Sequence, residues 1–180
     1  MNVKKCDFPA DSKIAEASIA ADFQDAYSVV TDRHELDPLQ IYLLMVNNTP
    51  FWINSLLTIR NKAVRLLGLR DVGRLGAVDN IRQDGKNDLT GVKLDIFTIA
   101  SFSEKEMILK LNDKHLNILM SILLRRQHDK TEVIVSTAVN YNNMLGSIYM
   151  MVIAPFHRRV IMRLMSIIQG KVYKKKGSFF

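Results

Sequence analysis

The chain has 180 residues, enough for one domain with a sizeable core. Hydrophobic residues make up 48% and charged residues 24%, an ordinary globular balance. The formal net charge is +7, but Lys171, Lys174, Lys175 and Lys176 supply four of those charges and leave +3 for the body. An excess carried in a tail is not the basic face of a nucleic-acid binder, so no nucleic acid is expected.

Met1 to Ile19 reads as an approach segment, with Asp11-Ser12 capping a short turn over Ile14 to Ala17. Lys4 and Lys5 are followed by Asp7, Pro9 and Asp11 instead of an apolar run, so no signal peptide is expected. Cys6 is the single cysteine. It excludes an internal disulfide, fits a reducing compartment, and has no paired base that would make it a nucleophile.

Ala21 to Thr31 alternates as a half-buried strand. Phe23, Tyr27 and Val29 share one side with Asp25; Asp22, Gln24 and Ser28 take the other. Asp37-Pro38 opens a short helix to Val46, in which Ile41, Leu44 and Met45 keep helical spacing. Pro50 to Leu69 is the longest clear amphipathic helix. Trp52, Leu56, Ile59, Ala63, Leu66 and Leu67 fall on one face, and Arg60 sits on its flank. Asp71 to Gly91 is punctuated by glycines and reads as a loop without a phosphate-loop signature.

From Val92 the pattern turns to strands: Val92 to Phe102, Glu106 to Leu111, Leu116 to Arg126 and Thr131 to Tyr141. The turns at Ser103-Glu104, Asn112-Asp113 and His128-Asp129 make an antiparallel meander. No helix interrupts it, which argues against a doubly wound parallel sheet. Met144 to Gly170 is the last large element; Leu145, Ile148, Tyr149, Val152 and Ile153 keep helical spacing, with a strand through Tyr149 as the alternative for Met144 to Ala154. Pro155 should kink it. Beyond it Phe156, Val160, Ile161, Leu164, Ile167 and Ile168 share a face into which His157 falls. Val133 to Phe156 is uncharged, but its three asparagines and short apolar part fall below the about 20 residues a membrane span needs. A cytoplasmic protein is expected.

Pattern alone gives an α+β chain. The residues go further: ADFQDAY at Ala21 to Tyr27, PFWINSLLTIRNKAVRLLGL from Pro50, DKHLNILMSIL at Asp113 to Leu123, and LGSIYMMVIAPFHRRVIMRL at Leu145 to Leu164. Together they resemble an uncharacterised bacterial family, a domain of unknown function placed with the START-like (SRPBCC) superfamily. The resemblance runs from about Ala21 to Ile168 and carries no agreed activity. It implies a helix-grip fold: a curved antiparallel sheet around a long C-terminal helix, two short helices after the first strand, and a cavity between sheet and last helix. On that reading residues 1–20 are the approach, 21–170 one domain and 171–180 a basic tail. Related domains occur fused behind nucleotide-sugar-epimerase-like Rossmann domains, whose glycine fingerprint is missing here.

Asp25, Arg60 and His157 are polar groups on apolar faces. Either they satisfy one another as a buried network, with Arg60 paired to Asp25, or they orient a ligand in the cavity. Trp52 is read as core or cavity wall, and His115 and Asn117 as solvent or cavity rim. With these the candidate ligand-binding set is Asp25, Trp52, Arg60, His115, Asn117 and His157. The four histidines lack metal-ligand spacing, and no triad, nucleophile elbow or paired carboxylates stand out, so neither metal, cofactor nor catalysis is expected. The expected function is binding of a hydrophobic or amphipathic small molecule by a monomer or homodimer. The alternatives are an interaction module for a separate oxidoreductase or for an anionic membrane surface, touched through the Lys-rich tail, and an enzyme of unknown substrate.

Overall fold

The computed structural model describes residues 3–56, 58 and 89–169. Seven strands form one antiparallel sheet in the order β1-β2-β7-β6-β5-β4-β3. They are β1 (Lys4–Lys5), β2 (Phe23–Thr31), β3 (Lys93–Leu94), β4 (Phe97–Phe102), β5 (Glu106–Asn112), β6 (Leu116–Gln127) and β7 (Lys130–Tyr141). The helices are α1 (Ala15–Ile19), α2 (Pro38–Asn47), α3 (residues 51–56) and the long α4 (Met144–Gln169). An α+β fold is therefore observed, with an antiparallel sheet and a long C-terminal helix.

Register follows the period-two pattern. Asp25 pairs with Thr137, Thr137 with Met120, and Met120 with Leu109, so these four share the inner face. That face, with Tyr27, Val29, Ile122, Leu124, Val133 and Val135, packs against α2 and the C-terminal half of α4. Leu39, Ile41, Met45, Leu164, Met165 and Ile168 complete the core. Each such side chain contributes about 1.5–3 kcal/mol on full burial. α2 starts as its sequence suggests, with Asp37 and Gln40 forming a reciprocal capping box and Pro38 in the first turn.

The outer face is also buried. Ala26, Ser121, Ser136 and Ala138 are small, and the N-terminal segment lies across them. β1 pairs with β2, and the Cys6 amide donates to the Ala26 carbonyl. Glu106, on the same face, accepts from the Ser12 and Ser121 hydroxyls at 2.6 Å each and from the Lys13 amide at 3.1 Å. A buried carboxylate with those donors is a clamp between the segment and the sheet. The approach segment is thus built into the fold.

Two expectations are corrected and one alternative is settled. Val92 to Phe102 is not one strand: Asp95 takes a left-handed φ of 53° between β3 and β4, and its carboxylate accepts from the Tyr42 hydroxyl at 3.2 Å. Asp tolerates that conformation because its short side chain can hydrogen-bond locally. Met144 to Ala154 is helix, as its spacing suggests, which removes the alternative of a strand, and α4 runs on through Pro155. Finally, Leu145, Ile148, Val152 and Phe156 point outward, while Gly146 and Met150 face the sheet. The first half of α4 is apolar all round, so periodicity alone does not select its buried side.

Candidate functional site

β2 carries Phe23, Asp25 and Tyr27 on its inner face, and α4 lays His157 over them one turn's start beyond Pro155. The Asp25 side chain is 5% exposed and its Oδ2 lies 3.5 Å from His157 Nε2, which is ion-pair range but long for a hydrogen bond. The edge of one ring meets the face of the other between Phe23 and His157, with centroids 6.2 Å apart at 83°. Asp25 Oδ1 and His157 Nε2 are buried without a hydrogen-bond partner among the described residues. Burial, then the Asp25 charge and then a hydrogen bond with the Asp25 carboxylate push the Tyr27 phenol up to about 12, with the Arg158 guanidinium pulling the other way. A carboxylate, an imidazole and a phenol, all neighbours, meet under one helix.

The inner face is not closed evenly. On the interior strand β6, Ile122 and Leu124 are fully buried, yet Ile118 and Met120 are only partly so. Phe23 and Tyr141 are partly buried beside them. The packing therefore loosens toward the N-terminal half of α4, on the side where Asp25 stands.

The other candidates lie elsewhere. Asn117 pairs with Asn140, which puts it on the outer face, opposite Asp25. Its amide donates to Asn142 Oδ1 at 3.0 Å. His115 Nδ1 lies 3.0 to 3.2 Å from the Asn143 side-chain amide. Asn143 also accepts from the Gly146 amide and so caps α4. A Cβ on Gly146 would overlap the His115 carbonyl oxygen. His115 and Asn117 therefore hold the β7–α4 corner and do not join Asp25 and His157. Trp52 is 42% exposed, while its neighbour Ile53 is fully buried, so α3 enters the core through Ile53. Arg60 and its expected pairing with Asp25 lie outside the described residues.

Tyr27 and Thr137 belong with Asp25 and were passed over in the candidate set; the signal was their place on the same strand faces. No group of three or more potential metal ligands occurs among the described residues. Burial raises the Cys6 thiol, with Glu132 adding to the effect, so it is not poised as a thiolate. A surface groove at the β6–β7 turn, lined by Val30, Gln127, His128, Asp129, Lys130 and Glu132, is separate from Asp25. No described helix is long and apolar enough to cross a membrane.

The fold and site define an α+β domain in which a buried carboxylate on β2 meets a half-buried imidazole on a long C-terminal helix. The chain belongs to the family described as protein of unknown function (DUF2867), which matches residues 18–164. No curated protein and no solved structure matches it.

Proposed function

We propose that this protein is a helix-grip, START-like domain that binds an amphipathic small molecule between the inner sheet face and α4, without catalysing its conversion. The observation that carries the reading is Asp25 Oδ1, buried and without a hydrogen-bond partner among the described residues. A buried acceptor left unpaired costs about 1–3 kcal/mol, which a ligand's donor would offset. The ligand would present a hydrogen-bond donor or cationic group to Asp25 and lay its apolar body along Phe23, Ile118 and Met120, the less tightly closed part of the face. His157 would steady the carboxylate from the helix side. Pockets of this kind are mainly apolar with a few polar groups that fix orientation.

Native mass spectrometry of the purified protein, followed by solvent extraction, tests this. A retained molecule of one mass, lost in Asp25→Asn, is the expected result. Protein that repeatedly carries no small molecule, and that gains none from a total lipid and metabolite extract, contradicts it.

A further inference from the structure

The first half of α4 presents a second apolar face, away from the sheet. Met144, Leu145, Ile148, Met151, Val152 and Phe156 are all at least 41% exposed, and Met144 and Met151 are 77% and 75% exposed. At 100° per residue they form one stripe opposite Gly146, Met150, Ile161, Leu164 and Ile168. It runs for about 18 Å at 1.5 Å per residue. Contiguous apolar patches of this kind mark interaction sites. Along the same face the stripe passes directly into Arg159 and Arg163, both exposed, and α4 contains no acidic residue.

We propose that this outward face of α4 docks on an anionic membrane surface, the stripe entering the headgroup–acyl boundary and Arg159 and Arg163 meeting lipid phosphates. An apolar strip continued by arginines on one exposed helix matches that surface in both polarity and charge. A second copy of the chain fits less well. Two such stripes laid together would bury the apolar side chains, but no acidic group on α4 would meet the partner's arginines. The helix is too short of apolar length to cross, so it lies on the surface. This contact is independent of the interior site and of the Lys-rich tail.

Flotation of the full chain with vesicles tests the proposal, using phosphatidylcholine alone and phosphatidylcholine mixed with phosphatidylserine. Binding is expected to the mixed vesicles, with salt weakening it. Met151→Asp and, separately, Arg159→Glu with Arg163→Glu should each lower it at least about tenfold. Both sets lie at exposed positions, so melting curves should stay unchanged, and if Met151→Asp unfolds the arginine variant decides alone. Lys174→Glu with Lys175→Glu and Lys176→Glu should leave most of the binding intact. The proposal is overturned by stripe and arginine variants that bind as the parent does, or by binding that vanishes with the lysines alone. Concentration-dependent dimerisation abolished by Met151→Asp, with no vesicle binding, overturns it equally.

Discussion

Replacing Asp25 with asparagine separates a structural pair from a ligand-orienting group by the sign of the stability change. Its side chain is 5% exposed, its Oδ2 stands 3.5 Å from His157 Nε2, and its Oδ1 has no hydrogen bond among the described residues. If Asp25 and His157 exist to hold β2 to α4, Asp25→Asn removes one half of a buried pair and should cost about 3–5 kcal/mol. If Asp25 is kept for a ligand, the ligand-free fold already bears a buried, half-satisfied carboxylate. Asparagine then removes the charge at nearly constant shape and should leave stability unchanged or raise it by about 1–2 kcal/mol, part of the penalty of an unpaired buried acceptor. The assay is urea unfolding of protein first unfolded and refolded to strip any bound molecule, with equal slopes in both proteins confirming like-for-like transitions. Bound ligand would otherwise stabilise the parent alone. A loss of about 3 kcal/mol or more refutes the ligand-orienting role.

The Tyr27 phenol should titrate near 12 by ultraviolet difference spectroscopy, and Asp25→Asn should bring it partway back toward 10. Because its folded pKa is raised, the associated stability is intact below pH 10 and is lost as pH rises from 10 through about 12; a fold whose stability is flat across that window argues against the buried phenol. Glu106→Ala should cost about 3 kcal/mol in the same urea assay, since it strands the Ser12 and Ser121 hydroxyls and the Lys13 amide. Ser12→Ala should cost about 1 kcal/mol, and a loss at Glu106 no larger than that contradicts the clamp.

The sheet was legible because β5, β6 and β7 alternate cleanly and are joined by short turns. Asp25 and His157 were legible for the same reason: each interrupts an apolar face at the period of its own element. Four features were not. The outer face reads as solvent-facing from Ser121, Ser136 and Ala138, yet those side chains are small because a strap lies on them, and the Ser12–Glu106 contact joins residues 94 apart with no local signal. The buried side of α4 was ambiguous because two opposite faces of its first half are apolar. His115 and Asn117 were read as solvent or cavity rim; the strand register puts Asn117 on the outer face, and which rim they hold, the β7–α4 corner, depends on contacts with Asn142 and Asn143 that carry no local signal. Tyr27 was passed over because a tyrosine on an apolar face reads as core, even with the Asp25 carboxylate on the same side of the strand.

The most direct test of a ligand site under α4 is a crystal structure of protein purified from cells without a denaturing step. Well-defined density between β2 and the N-terminal half of α4, with a donor atom within hydrogen-bond reach of Asp25 Oδ1 and an apolar body against Ile118 and Met120, is the predicted result. Side chains closed tightly over Asp25, with its Oδ1 hydrogen-bonded to the protein itself, would contradict the account.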